Sequence, residues 1–307
     1  MVRRLVVATV AATILLAATG CLTPLTSQQP LTPVPTPARP LVGVYEPGAP
    51  GSWSPITEFA AATGVKPGIV EYYSAWNDPF STSFAQTARD HDAYVLVQLQ
   101  PSGVPLGSIA AGRSDAYLRS YADAVVAFGH PVILSFGHEM NGTWYSWGDG
   151  HTPPATFVAA WRHIVRVFRA AGAANATWLW AVNSIEGAAS SLSQWWPGAA
   201  WVNWTGIDGY YFQATDTFGS VFGSTITDIR TFSSAPLLIA ETAVGTTSDR
   251  ESQIDALLAG VRAERLAGVV WFDEAQHAGL YHQDWRLEDD PDALAAFTAA
   301  VETYLRK

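Results

Sequence analysis

Residues 131–148 read "PVILSFGHEMNGTWYSWG", an apolar run that leads directly into a cluster of polar and aromatic side chains. The run "PVILSF" shows no regular polar alternation, which is typical of a parallel strand buried on both faces. His138, Glu139 and Asn141 follow within five residues of its end. The stretch therefore predicts a buried strand whose carboxyl end presents polar side chains to a loop.

The same pattern recurs along the chain from Leu41, where strand-like runs alternate with helical segments. One such segment, "PATFVAAWRHIVRVFRAAG", has a proline at its start and a glycine at its end, as helices often do. The seven other runs are "LVGVYEP", "GIVEYYSAW", "YVLVQLQP", "ATWLWAVNS", "VNWTGIDGYY", "PLLIAETAVG" and "GVVWFDEA". Eight runs in about 265 residues predict one (β/α)8 TIM barrel, a single domain over residues 41–307. An open doubly wound sheet is the alternative, but "VGVYEPGAPGSW" lacks its glycine-rich phosphate turn.

The first 21 residues have the composition of a secretory signal. They read "MVRRLVVATVAATILLAATGC", with two arginines, an apolar segment too short for a typical membrane span, and small residues before Cys21. "LAATGC" resembles a bacterial lipoprotein box, which implies lipidation of Cys21 and an extracytoplasmic protein anchored to the cell membrane. Ordinary secretion is the alternative. Cys21 is the chain's single cysteine, so an intramolecular disulfide is excluded.

Residues 22–40 predict a tether between this signal and the barrel. They read "LTPLTSQQPLTPVPTPARP", rich in Pro, Thr, Ser and Gln and without apolar periodicity. Such a composition is typical of a stiff, extended linker.

The charge of the chain excludes several classes of partner. Only 14% of the 307 residues are charged, the formal net charge is -10, and basic runs are absent, which disfavours nucleic acid. The polar residues at the predicted strand ends are mostly carboxylates and aromatics, which disfavours phosphorylated substrates. "HEMNG" does not match the HEXXH zinc motif, and the chain has no GxSxG elbow. We expect a monomer with no metal and no cofactor.

Glu139, after the fourth run, and Glu241, at the end of the seventh, form the best-matched pair of carboxylates. Two carboxylates beside aromatic platforms suit glycoside hydrolysis, in which one acid protonates the leaving oxygen and the other attacks or activates water. Asp273 and Glu274, at the end of the eighth run, are rival carboxylates. Glu71 and Tyr73, on the second run, are candidates for lining distal sugar subsites. Trp147 is a second candidate for stacking on sugar, beside the neighbouring Trp144.

"GHEMNGTWYSWG" is similar to the acid/base motif of family 26 glycoside hydrolases, which include β-mannanases, mixed-linkage β-glucanases and β-1,3-xylanases. The resemblance spans the whole barrel and implies a retaining reaction with Glu139 as acid/base and Glu241 as nucleophile. It also implies substrate-binding roles for His138, Trp144, Asp208, Tyr210 and Trp271.

The sequence departs from this family at positions close to the motif. Ser135 stands where the family often has arginine, and Gln98 and Gln100 stand where mannanases often have a histidine. The family favours an endo-acting enzyme on β-mannan, with mixed-linkage β-glucan and β-1,3-xylan as alternative substrates. A non-catalytic, carbohydrate-binding surface lipoprotein is the alternative from another functional class.

Overall fold

A computed structural model describes residues 32–185, 191–275 and 283–306. The predicted signal, Cys21 and the first part of the predicted tether lie outside these ranges. Within them, eight parallel strands pair in chain order and close into one barrel, which confirms the predicted (β/α)8 fold. The strands are β1 (Leu41–Tyr45), β2 (Ile69–Ala75), β3 (Tyr94–Gln100), β4 (Val132–Phe136), β5 (Ala176–Asn183), β6 (Trp204–Asp208), β7 (Leu237–Thr242) and β8 (Gly268–Phe272).

Helices follow the strands and cover the outside of the barrel. They are α1 (Ser54–Thr63), α2 (Thr82–Asp90), α3 (Leu106–Ala110), α4 (Asp115–Phe128), α5 (Pro154–Ala170), α6 (Ser224–Phe232), α7 (Arg250–Ala263) and α8 (Pro291–Ala300). Short helical turns lie at Leu192–Trp195, Gly219–Gly223 and Val301–Leu305. No helix in the described ranges is both long enough and apolar enough to cross a membrane.

The helix that we predicted from "PATFVAAWRHIVRVFRAAG" is α5. Its buried residues recur at helical spacing, so that Phe157, Trp161, Ile164 and Phe168 all face the barrel. Gly172, just beyond its end, takes a left-handed conformation with φ of 84°. Local sequence signals and tertiary packing therefore agree on this element.

Apolar side chains from several strands form a cluster in the barrel interior. This cluster includes Ile69, Leu96, Ile133, Leu179, Leu238 and Val270, each from a different strand. Val34, which we had placed in the extended tether, is buried against the same cluster, and its N–H donates to Thr177 Oγ1 at 2.7 Å. The end of the predicted tether thus packs against the barrel.

An irregularity in β7 decides which way the side chain of Glu241 points. Ile207 pairs with Ile239, but the next residue of β6, Asp208, pairs with Glu241. On the other side, Ile239 pairs with Val269, and pairing resumes at Thr242 and Trp271. One extra residue of β7 is therefore accommodated as a bulge. Because alternate residues of a strand face opposite sides, the bulge turns Glu241 into the barrel beside Asp208.

Candidate active site

Glu139 follows β4 in an unusual backbone conformation. Its φ is 52°, in the left-handed region that residues other than glycine seldom adopt. Its N–H donates to the carbonyl of Ala181 on β5 at 3.0 Å. Residues held in such conformations cluster at functional sites, where the surrounding structure maintains them. The backbone thus directs this carboxylate into the mouth of the barrel.

Two N–H donors orient the carboxylate of Glu139, which is 7% exposed. Asn183 Nδ2 donates to Oε1 at 2.7 Å, and Trp144 Nε1 donates to Oε2 at 2.8 Å. Asn183 is itself fixed by two hydrogen bonds to the side chain of Asn141, one from its N–H at 2.9 Å and one to its carbonyl at 2.8 Å. Asn141 thus orders the end of β5 as well as its own loop.

Glu241 accepts hydrogen bonds on both carboxylate oxygens. Tyr73 donates to Oε1 at 2.7 Å, Tyr210 donates to Oε2 at 3.0 Å, and Gln98 Nε2 lies 3.4 Å from Oε1. Burial, together with the negative charge of Glu139, raises the pKa of Glu241, whereas the two tyrosine hydroxyls lower it. The charge of Glu139 therefore disfavours ionisation of Glu241, and the hydrogen bonds from the tyrosines favour it.

Trp144 is the aromatic residue best placed to meet a ligand. At 56% exposure it is the one exposed large hydrophobic side chain in the described ranges. Its ring lies directly against Gly142, where any side chain would collide with it. Trp147, by contrast, is buried under Tyr145, with ring centroids 4.2 Å apart, and donates to the carbonyl of His138 at 2.8 Å. Of the two tryptophans in the motif, Trp144 is therefore the one accessible to sugar.

His138 is buried behind this surface and does not reach solvent. Its Nε2 lies 3.2 Å from the hydroxyl of Tyr145. Burial lowers the pKa of His138 to about 3, so its ring is neutral at ordinary pH. His138 thus supports Tyr145, and its role in binding substrate stays a prediction.

Trp271, for which we predicted a substrate-binding role, packs on the helix side of β8. It is 1% exposed, its ring packs against Phe297 of α8, and its N–H donates to Asp273 Oδ1 and to the carbonyl of Trp285, both at 3.1 Å. The alternation of β8 explains this, because Trp271 faces the helices and the next residue faces inward. Phe272 occupies the inner position and stacks on Tyr45 at 4.5 Å.

Asp208 and Tyr210 lie beside Glu241 and differ in exposure. Asp208 is completely buried, and its contact with substrate stays a prediction. Burial first, and then the charges of Glu241 and Glu139, raise the pKa of Asp208 well above its usual range. Tyr210 is bonded to Glu241, so it orients that carboxylate.

Glu71 and Tyr73, the candidates for a distal subsite, lie close to Glu241 in the described structure. Tyr73 donates to Glu241, and Glu71 is completely buried beneath it. Asp273, a rival carboxylate, is also buried and accepts from Trp271 and from the N–H of Leu287 at 3.0 Å. Asp273 therefore serves the packing of the β8 loop. Asn183 ends β5 and bonds Glu139, and the sequence contains no signal that assigns the one to the other.

No group of three or more His, Cys, Asp or Glu side chains within residues 32–185, 191–275 and 283–306 could hold a metal ion. The ion pairs found in the same ranges do not include Glu71, Asp208 or Glu241. The site therefore combines several carboxyl groups with neutral donors.

Known proteins resemble this chain both in family and in sequence. The model described as glycosyl hydrolase family 26 matches residues 66–286. "Endoglucanase H" of Acetivibrio thermocellus is 30% identical over 271 residues, which cover 83% of this chain and 29% of that protein. "Beta-1,3-xylanase TXYA" of a Vibrio species is 27% identical over 174 residues, which cover 52% of this chain and 36% of that protein. The chain thus spans well under half the length of these relatives.

Solved structures share the barrel at lower identity. A modular endo-β-1,4-mannanase from Cellulomonas fimi superposes with a TM-score of 0.67 at 17% identity, covering 86% of this chain and 70% of that chain. The catalytic domain of an endo-β-1,4-mannanase from Bacillus sp. JAMB-750 gives a TM-score of 0.67 at 15% identity, covering 86% of each chain. At this identity the likeness extends to the fold alone.

Proposed function

The chain belongs to glycosyl hydrolase family 26, and on that basis we propose that it is a retaining endo-glycosidase of β-linked polysaccharide. In this proposal Glu139 is the acid/base and Glu241 the nucleophile. The observation that carries it is the pair itself, because β4 and β7 bring both carboxylates to one mouth and each is oriented by hydrogen bonds. Two positioned carboxylates are the common requirement of glycoside hydrolysis.

The proposed reaction has two steps. Glu241 attacks the anomeric carbon while Glu139 gives its proton to the glycosidic oxygen, so the leaving sugar departs neutral. Glu139 then takes a proton from water, which attacks the glycosyl–enzyme bond and releases Glu241. Retention predicts that the two carboxyl groups lie about 5–5.5 Å apart.

The proton count of the pair agrees with this scheme. Glu241 and Glu139 interact electrostatically, and both are almost buried, so a single proton shared by the two is favoured over two charges. The reaction needs that proton on Glu139. The hydroxyls of Tyr73 and Tyr210 stabilise the charge on Glu241 and so favour this distribution.

The proposed first substrate is a β-glucan, with β-mannan and β-1,3-xylan as alternatives. Endoglucanase H is 30% identical to this chain over 83% of its length, and both values are higher than those of the xylanases. The mannanases resemble this chain in fold, at lower sequence identity. Of the departures that bear on β-mannan, Ser135 and Gln98 are completely buried, whereas Gln100, at the end of β3, is partly exposed. Ser135 and Gln98 act from within the barrel, so they do not by themselves select a sugar. Exposed Trp144 is the proposed sugar platform.

The deciding experiment measures reducing-sugar release from mixed-linkage β-glucan, β-mannan and β-1,3-xylan. Glu139→Ala and Glu241→Ala should each abolish release, and Glu274→Ala, a partly exposed carboxylate at the same barrel end, is the control that should retain it. Near-normal release by Glu241→Ala would reject its role. Binding of these polysaccharides by the wild type without release would instead favour the non-catalytic alternative.

The proposed location is the outer face of the cell membrane, through a lipid on Cys21. The support is the resemblance of "LAATGC" to a lipoprotein box, since these residues lie outside the described ranges. Wild-type protein should partition with the membrane fraction, and Cys21→Ser should not. Equal partitioning of both forms would favour secretion without a lipid.

A further inference from the structure

A third carboxyl group lies directly beneath the proposed nucleophile. Glu71 is 0% exposed on β2, next to Gln98, which is 0% exposed on β3. The amide nitrogen of Gln98 stands between two carboxyls, 2.8 Å from Glu71 Oε1 and 3.4 Å from Glu241 Oε1. One neutral amide therefore connects the buried carboxyl to the nucleophile.

The surroundings of Glu71 offer it no positive charge. Among the described residues, it forms no ion pair. The titratable groups that interact electrostatically with it are Tyr45, Tyr73, Asp208, Tyr210 and Glu241. A second anion here, completely buried and next to a nucleophile that must be ionised, would be strongly unfavourable.

Two buried polar atoms without a hydrogen-bond partner, here called orphans, show where Glu71 would hold a proton. In the described structure, Glu71 Oε2 and Gln98 Oε1 are both buried without a hydrogen-bond partner, while the other polar atoms of the same two groups are bonded to each other. Both orphans are acceptors if Glu71 is ionised. One proton on Oε2 makes it a donor, and a carboxylic acid and a primary amide can then form two hydrogen bonds in a ring.

We propose that Glu71 is a neutral carboxylic acid in the working enzyme and pairs with the carboxamide of Gln98 through two hydrogen bonds, which hold the second N–H of Gln98 on Glu241. Glu71 is thus a positioning residue for the nucleophile. The inference rests on the proposed role of Glu241. The direction of the ring matters because a rotated carboxamide would present its oxygen to Glu241, and an acceptor there would repel the carboxylate.

The kinetic test compares two substitutions of nearly the same length. Glu71→Gln keeps an acceptor and adds an N–H donor, so it preserves both ring bonds without a titratable group. It should retain kcat within a factor of about 3 and leave the acidic limb of the pH profile in place. Glu71→Met cannot bond Gln98, so kcat should fall by about tenfold or more at similar KM, and the acidic limb should move to higher pH.

A downward shift of the acidic limb by about one pH unit in Glu71→Gln would overturn the proposal, since it would mean that an anion had been removed next to Glu241. Equal kcat and pH profiles for Glu71→Met and the wild type would also overturn it, because Gln98 would then not depend on Glu71.

Infrared spectroscopy tests the proton without any turnover, so its result is independent of whether Glu241 is the nucleophile. At neutral pH the wild type should show the carbonyl stretching bands of its protonated carboxyls, and one component of these bands should be missing from Glu71→Gln. That component should persist in Asp208→Asn, the control for the buried acid at the end of β6. Carboxyl bands that are identical in the wild type and Glu71→Gln, or loss of that component only in Asp208→Asn, would overturn the proposal.

Discussion

The hydroxyl of Tyr73 makes the shortest hydrogen bond to the proposed nucleophile, and its removal gives a quantitative test of the site. Tyr73→Phe deletes the donor that lies 2.7 Å from Glu241 Oε1 and leaves that oxygen with Gln98 Nε2 at 3.4 Å. The ring itself should stay in place, since it packs against Tyr45 and His138 at centroid distances of 5.1 and 5.6 Å.

The expected effect follows from the charge on the acceptor. A hydrogen bond to a charged group contributes about 1.5–3 kcal/mol, and 1.36 kcal/mol corresponds to one pKa unit. The Tyr73 hydroxyl lowers the pKa of Glu241, so its loss should raise that pKa by about 1–2 units. Glu241 must be ionised to attack, so kcat/KM below the acidic limb should fall by about 10- to 100-fold. Above the limb the loss should be smaller, because the carboxylate is then ionised in both enzymes.

The assay is the pH dependence of kcat/KM on whichever polysaccharide the wild type degrades. Tyr211→Phe is the control, because Tyr211 is a completely buried tyrosine whose hydroxyl has no hydrogen-bond partner among the described residues. Its profile should match that of the wild type. A Tyr73→Phe profile that coincides with both would refute the role of Tyr73 and the electrostatic reasoning behind it.

Three other substitutions separate contacts with Glu139 from packing. Asn183→Ala removes the 2.7 Å donor from ionised Glu139, so the basic limb of the kcat/KM profile should move to higher pH; an unmoved limb would contradict this. Trp144→Phe should move the same limb to higher pH with little change in KM. Trp144→Ala should raise KM by about three- to tenfold through lost stacking, and a KM equal to that of the wild type would exclude Trp144 as a platform. Trp271→Phe loses two buried hydrogen bonds, so thermal denaturation should show about 1–3 kcal/mol of destabilisation at unchanged KM, and a large rise in KM would restore its predicted sugar contact.

The barrel could be predicted from the sequence because its strands are short apolar runs separated by helices of clear period. The sequence was a poorer guide to which residues of each strand face into the barrel and which face the helices. Strict alternation along β7 from Leu238 would point Glu241 toward the helices. Its position at a strand end and the family resemblance both selected it, and the bulge explains why it faces inward. In β8 the reverse holds. Alternation from Val270 places Phe272 inside, whereas the resemblance pointed to Trp271.

The hydrogen-bond partners of Glu139 and Glu241 could not be predicted from the sequence, for a different reason. Tyr73 and Gln98 bond Glu241 from 168 and 143 residues away, and Asn183 bonds Glu139 across 44 residues. The strand-end rule brings all these residues to one rim, but it does not say which polar side chain meets which carboxylate. That choice depends on strand register and side-chain rotamer, which composition and period do not encode.

The polar layer of the barrel is neutralised by protons and neutral donors rather than by basic side chains. Ser135 lies directly opposite Gln98 in the pairing of β3 with β4. An arginine at position 135, as the family often has, would bring a positive charge to this layer and would favour an ionised Glu71. Serine supplies no charge, so the remaining way to bury Glu71 beside an ionised Glu241 is to keep Glu71 protonated. The departure at position 135 and the neutral acid at position 71 are therefore two parts of one electrostatic solution.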